Sequence, residues 1–194
     1  QQPYFPPGTA FHYDNTNYAL LGLIAEEREH GKPLASILRD RLFAPLGLRH
    51  TSYVWTPAIE QNLASGHRAD GSFKDRTRYR KANSAYSLYT TPTEYAELML
   101  TLMRPERLGA AAFTPASVET LLQRSQRVDD GDAIARPGLA RSVATYRALG
   151  WSVDVSAEGD IVQHTGSNSS GFRTFGQFNR DKGSGMVIFT NGDN

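Results

Sequence analysis

No cysteine occurs anywhere in the 194 residues. That excludes disulfides, thiolate catalysis and cysteine-built zinc sites, and it leaves the compartment open, because cysteine-free chains suit oxidising and reducing surroundings alike. Net charge is nearly absent as well: 21 Lys and Arg stand against 20 Asp and Glu, a formal +1. No global field draws such a chain to nucleic acid or to an anionic membrane, and neither is an expected partner. No apolar run is long enough to span a bilayer, and Gln1-Gln2-Pro3-Tyr4-Phe5 has neither the basic start nor the apolar middle of a signal peptide. His12, His30, His50, His67 and His164 show no ligand spacing, so no metal and no cofactor is expected. What is present is an ordinary apolar fraction, 39%, in a length that suits one domain or a little more.

The chain is organised around Pro6-Pro7-Gly8-Thr9-Ala10-Phe11-His12-Tyr13-Asp14-Asn15. Two prolines and a glycine make a rigid turn, aromatic residues follow, and Asp14 or Asn15 caps a helix beginning near Thr16. Tyr18, Ala19, Leu20, Leu21, Leu23 and Ile24 make that helix apolar almost all round, which predicts a place in the core. Tyr13 and Asn15, two residues apart at its mouth, would be held in the fixed geometry that proton handling requires. On this stretch alone, a capped helix with a packed tyrosine is the first reading, and the His164-Thr165-Gly166 motif far along the chain is what changes it.

The first helix is expected to run to about His30, with Gly31 as its cap, and a shorter one spans Leu34 to Leu42 before Pro45. From Thr51 to Tyr89 there is no helical period, and the segment reads as a long connection with a short hairpin. Within it Arg76, Arg78 and Arg80 alternate with Thr77 and Tyr79, which would set three guanidinium groups on one side of a solvated loop; recruitment of an acidic substrate is the sharper reading. Thr91-Pro92-Thr93-Glu94 is a capping box ahead of an apolar stripe, Tyr95, Leu98, Met99, Leu102 and Met103, that stops at Pro105. Thr114-Pro115 starts another short helix through Leu122, and Gln126 to Ala140 reads as loop, its Asp129-Asp130-Gly131-Asp132 cluster lacking calcium-loop spacing.

The last third turns to strands. Leu149, Trp151, Val153 and Val155 alternate with polar or small residues; strands follow at 160–164, 171–178 and 185–190, joined by short turns into an antiparallel meander. Met186-Val187-Ile188-Phe189 is apolar on consecutive residues, so both faces of that last strand should be covered. The fold class is therefore α+β: a mainly helical part over 14–145, an antiparallel sheet of three strands over 146–191, and a cleft between them. So small a sheet predicts a companion fragment or a homo-oligomer over its apolar face. His164 is placed at a strand end, followed by Thr165 and Gly166, and a polar turn runs from Ser167 to Gly171. A hydrogen-bonding side chain, a hydroxyl and a glycine there could clamp a carboxylate or a carbonyl.

Taken together, the two motifs are specific. Pro7-Gly8, Tyr13-Asp14-Asn15, Pro45-Leu46-Gly47-Leu48 with Thr51, Ser87-Leu88-Tyr89-Thr90-Thr91, Leu149-Gly150-Trp151, His164-Thr165-Gly166, Gly171-Phe172 and Thr190-Asn191-Gly192 occur in this order. The chain resembles the penicillin-recognising serine hydrolases, which comprise class C beta-lactamases, DD-peptidases and esterases of the same fold, over essentially its whole length. The resemblance implies a beta-lactamase/transpeptidase-like fold and acyl transfer through a serine ester, on a beta-lactam, a D-alanyl peptide of peptidoglycan type or a small ester. It implies that Tyr13 shuttles the proton and that Asn15 orients the substrate. His164, where the family has lysine or histidine, would support the tyrosine and help bind the substrate carboxylate beside Thr165 and Gly166. The backbone N–H of Ser167 would be one donor of the oxyanion hole. Family members are usually exported, which implies a periplasmic or secreted location.

Two departures bear on this. The family's nucleophile lies in a Ser-x-x-Lys motif before the tyrosine, and no serine here has lysine three residues on. The expectation is an interior piece, without the nucleophile segment and the last helix, inactive by itself; a non-catalytic relative that keeps the cleft for binding is the alternative. Asp14 occupies a position that is usually small and neutral. It should point away from Tyr13, so that Asp14→Ser leaves the activity of the intact protein nearly unchanged.

Overall fold

The computed structural model describes residues 5–6, 8–107, 112–128 and 144–192. The Asp129–Asp132 cluster and the rest of the expected 126–140 loop beyond Val128 lie outside them. Helix α1 spans Asn15–Arg28, α2 Leu34–Leu38 with a π-helical turn to Phe43, α3 Pro57–Gln61, α4 Pro92–Met103 and α5 Pro115–Leu122. Strands β1 to β6 follow at Gln126–Val128, Ala144–Arg147, Ser152–Val155, Ile161–Ser167, Arg173–Asn179 and Ser184–Thr190. Each strand pairs antiparallel with the next, giving a six-stranded sheet in chain order.

The sheet is thus wider than expected, and it begins earlier. Gln126–Val128, expected as loop, pairs residue for residue with Thr145–Arg147 of β2. The strand expected from Leu149 starts only at Ser152, because Gly150 at φ +84° turns the chain between β2 and β3.

Helices α4 and α5 close one face of this sheet. Met99, Leu102 and Met103 of α4 and Val118 and Leu122 of α5 bury themselves against Val153, Val162 and Phe178. The closest approach is at Gly176, where a Cβ would stand 2.8 Å from the Tyr95 ring and 3.0 Å from the Met99 sulfur. Phe189 meets Tyr95 at 5.7 Å between ring centroids, so α4 lies over β5 and β6. Only this face of β6 is covered: Met186 and Ile188, on the opposite face, are 44% and 49% exposed. No described element lies over the far side, so the cover that this apolar run calls for is not among the described residues.

Helix α1 is the larger correction. Leu20, Leu21, Leu23 and Ile24 are all exposed, and Gly22 is its one buried residue. The helix touches the rest of the chain along a narrow stripe at Gly22, where a Cβ would stand 2.8 Å from Ser84 Oγ and 3.1 Å from Leu34 Cδ2. An apolar circumference states what a helix can bury; here only the small-residue side has found a partner.

The helix starts follow the sequence closely. Thr114 and Ser117 cap α5 reciprocally. At α4 the box is only half made: Thr91 Oγ1 accepts the Glu94 N–H at 3.2 Å, while the Glu94 carboxylate turns to the 50–51 segment. There it accepts the His50 N–H at 2.9 Å and the Thr51 hydroxyl at 2.5 Å. Burial opposes its ionisation, but the hydrogen bonds from Thr51 and His50 outweigh burial and hold its carboxyl below the usual range. This contribution is present above the unfolded carboxyl's pKa and is lost as pH falls through the lowered folded one. Glu94→Ala, which orphans the His50 N–H and the Thr51 hydroxyl, is expected to cost about 2 kcal/mol, a fall of about 4–8 °C in Tm by thermal denaturation.

Candidate active site

One cavity of about 1220 Å³ opens between the start of α1, strand β4 and the 51–90 segment. Tyr13, Asn15, His164, Thr165, Gly166 and Ser167, drawn from the two ends of the chain, all line it. Tyr13 is 58% exposed at its mouth. Its neighbour Asp14 caps α1, accepting the Thr16 N–H at 2.7 Å, and that hydrogen bond holds its carboxyl below the usual range. The carboxylate is therefore committed to the helix N-terminus. Asp14→Ala should lower Tm and Asp14→Ser, which keeps a capping oxygen, should restore most of the loss, as thermal denaturation of the pair would show.

His164 is not at a strand end. β4 continues through Ser167, paired with Arg173, and His164 faces Gly176 across the sheet. Its ring stands edge-on to Trp151 at 6.4 Å between centroids. Burial pushes its pKa below the ordinary histidine value, the Arg147 cation adds to the effect, and a backbone hydrogen bond at Thr165 opposes it. These influences together favour the neutral, hydrogen-bonding form of the ring. Two positions further on, a Cβ at Gly166 would stand 2.2 Å from Thr174 Oγ1, so that only glycine leaves the hydroxyl its place.

The turn after Ser167 is held from outside by a feature that sequence reasoning missed. The segment 65–74 folds back on itself, with the Lys74 N–H on the Gly66 carbonyl at 2.8 Å. It is fastened to the end of β6, where the His67 N–H donates to the Asn191 carbonyl at 2.8 Å and Asn191 Nδ2 to the Ser65 carbonyl at 3.0 Å. It also grips the β4–β5 turn: Lys74 Nζ donates to the Ser169 carbonyl at 3.1 Å, and a Cβ on Gly66 would lie 1.9 Å from the Ser170 carbonyl oxygen. The only sequence signal is a glycine in a polar stretch without period.

Arg76, Arg78 and Arg80 do share one side of an extended segment, but they close on protein groups. Arg78 forks onto Glu60 at 3.0 and 2.7 Å, Arg76 approaches the same carboxylate at 3.6 Å, and Arg80 stacks over Trp55 at 4.6 Å. The Arg78 bond, with one from Trp55, holds the Glu60 carboxyl down to about 2. All three stay exposed, as in a solvated loop, and Arg76 also lines the cavity. Among the described residues no cluster of three or more histidine, aspartate or glutamate side chains could hold a metal ion, and no helix is long and apolar enough to cross a membrane.

A six-stranded antiparallel sheet, helices on one face and a cleft beside β4 together make the beta-lactamase/transpeptidase-like fold. Over 100% of its length the chain superposes on the beta-lactamase/D-alanine carboxypeptidase from Pseudomonas syringae, at 19% identity and a TM-score of 0.76, covering 58% of that protein. It matches the octameric penicillin-binding protein homologue from Pyrococcus abyssi over 96% of its length, at 18% identity and a TM-score of 0.75, covering 40% of it. A D-aminopeptidase of Cereibacter sphaeroides is 38% identical over 73 residues, 36% of this chain and 14% of that protein. The chain therefore spans well under two thirds of the relatives it matches. The profile of the Beta-lactamase family matches residues 1–194, and the chain belongs to that family of serine hydrolases.

Proposed function

We propose that this chain forms the substrate-binding side of an acyl-transfer site, in a hydrolase whose serine nucleophile is supplied from outside these 194 residues. The observation that carries the reading is the convergence of Tyr13 and Asn15 with His164, Thr165, Gly166 and Ser167 on one cavity. In the reaction, the serine oxygen attacks the acyl carbon of a beta-lactam, a D-alanyl peptide or a small ester. Tyr13 takes the serine proton and passes it to the leaving group, then handles the proton of the water that releases the acyl group. The Ser167 N–H donates to the oxyanion, and Asn15, Thr165 and Gly166 orient the substrate around it. His164 acts as a neutral hydrogen-bonding partner and not as a fixed cation. Its titration is pushed below the ordinary value, so kcat/KM should stay level from pH 7 to pH 9 as far as this group is concerned. A profile that falls above neutrality as an imidazolium deprotonates would restore the cation to the mechanism.

Turnover of a chromogenic beta-lactam, a D-alanyl dipeptide and a short aryl ester by the protein tests the reading and selects the substrate. The absence of Ser-x-x-Lys from the sequence supports a second reading, a non-catalytic binding protein with the same cleft; retention of those ligands without turnover would establish it. Under either reading the apolar residues exposed on α1 and β6 call for a covering partner, a companion segment or a second copy of this chain. The isolated chain should bind a hydrophobic dye or sediment as more than a monomer, and a dilute monomer indifferent to the dye would contradict this.

A further inference from the structure

The turn at 83–87 is fixed before it meets α1. Asn83 Oδ1 accepts the Ala85 N–H at 2.9 Å, and Ser87 Oγ accepts the Asn83 N–H at 2.8 Å. Ser87 is fully buried, and its hydroxyl donates to the Tyr53 carbonyl at 2.9 Å. From this rigid turn the Ser84 hydroxyl reaches across and donates to the Tyr18 carbonyl, near the start of α1. One helical turn on, Gly22 passes so close that a Cβ would stand 2.8 Å from the same Ser84 oxygen. Gly22 is the one buried residue of α1. The far end of the helix is tied where Glu26 accepts the Leu34 N–H at 2.8 Å; near the site the tie is Ser84.

The Tyr18 side chain extends the same tie in the other direction. Its hydroxyl lies against the Gly150 backbone in the β2–β3 turn, where a Cβ would stand 3.8 Å away. The next residue, Trp151, stands edge-on to the His164 ring. A smaller cavity of about 480 Å³ adjoins the first along this line, and Tyr13, Tyr18, Gly150, Trp151 and His164 are in its wall. Tyr18 therefore spans from the 83–87 turn to the turn that carries Trp151. Asn15 lies about one helical turn before it, and Tyr13 just outside the helix. Both line the large cavity together with Ser84, Ala85 and Tyr86.

We propose that Ser84 is a positioning residue: by fastening the Tyr18 carbonyl it sets where Tyr13 and Asn15 stand relative to His164. The chemistry given to Tyr13 and Asn15 rests on the hydrolase reading; the fastening of α1 does not. Ser84 touches no reacting group and acts through Tyr18. A misplacement of about 1 Å can cost a rate about a hundredfold, whereas one hydroxyl–carbonyl bond is a small part of the stability of a fold. Loss of the bond should therefore cost catalysis out of proportion to stability.

Ser84→Ala, Gly22→Ala and the double variant make the test. Ser84→Ala removes the donor. Gly22→Ala sets a methyl group 2.8 Å from the hydroxyl, which can turn away by rotating about its own side-chain bond and so releases Tyr18. In the catalytically competent protein, assayed well below its Tm, each change should lower kcat about tenfold, with KM rising less than kcat falls. Tm should fall by only about 2–4 °C for Ser84→Ala. The double variant should be no slower than the singles, because one bond can be lost only once. Ser84→Thr, which keeps the hydroxyl, should retain most of the rate. In the 194-residue chain itself, NMR should show the Asn15 side-chain amide and the Tyr13 ring shifted alike by either single change and no further by both. Should Gly22→Ala fail to fold, Ser84→Ala and Ser84→Thr carry the comparison. Tyr13 and Asn15 resonances unmoved in a folded Ser84→Ala protein would overturn the positioning role, as would losses of kcat that multiply in the double variant. Shifted resonances beside an unchanged kcat would leave the positioning in place and remove Tyr13 and Asn15 from the reaction instead.

Discussion

Gly66→Ala is expected to lower Tm by about 6–12 °C, the equivalent of about 3 kcal/mol in a chain of this size. The new Cβ would lie 1.9 Å from the Ser170 carbonyl oxygen, and neither partner has an easy retreat. Ser170 is tied to Asn168 through its N–H and its hydroxyl. On the other side, the 65–74 segment is held to Asn191 and to Ser169. Backbone must move against backbone, and the piece that moves is the turn directly after Ser167. The loss should therefore appear in catalysis as well as in stability, with kcat falling more than KM rises if the Ser167 N–H is an oxyanion donor. Thermal denaturation and steady-state kinetics of the one variant check both parts. A Tm within 1 °C of the wild type would mean that the contact is not as close as the structure has it.

Tyr13→Phe in the catalytically competent protein should reduce kcat by about a thousandfold, the range in which positioned proton transfer contributes. KM should change little, because the ring and its place at the cavity mouth are kept. Stability should not change: Tyr13 is 58% exposed, so the lost hydroxyl leaves no buried partner behind. That combination separates a proton-transfer role from a packing one. A loss below fivefold would transfer the proton to another group. His164 is the candidate, since it lines both cavities with Tyr13.

How far the sequence carries depends on where its signals come from. The starts of α1, α4 and α5 were legible because capping is local chemistry: Asp14, Thr91 and Thr114 each accept an N–H two or three residues on. The other half of the α4 box was not legible, because the Glu94 carboxylate serves a segment more than forty residues away, at His50 and Thr51. Strands β1 and β2 were missed, and β3 was begun too early. Gln126-Arg127-Val128 is too short and polar to show a period, and it is a strand only because Thr145–Arg147 pairs with it. The burial of α1 was misjudged for the opposite reason, a strong local signal whose partners are not among the described elements.

Each of the site residues was visible, but not their meeting. Nothing between Asn15 and His164 says that the start of a helix and the middle of a strand share a cavity; the order of motifs, read as a family resemblance, suggested it. Gly66, Trp55 with Glu60, and Arg147 carry no motif. Their parts follow from single contacts that only a folded chain displays, Gly66 against the distant Ser170 and the other two between residues five apart.

The most direct test of the account is to map the acylated serine. The 194-residue chain, and any longer product of the same gene, would be exposed to a penicillin and to a fluorophosphonate, then digested and analysed by mass spectrometry. The account predicts no adduct on any serine of residues 1–194, and in a longer product a single adduct on the serine of a Ser-x-x-Lys segment. Acylation of a serine within these residues, Ser167 above all, would place the nucleophile inside the chain and contradict the account.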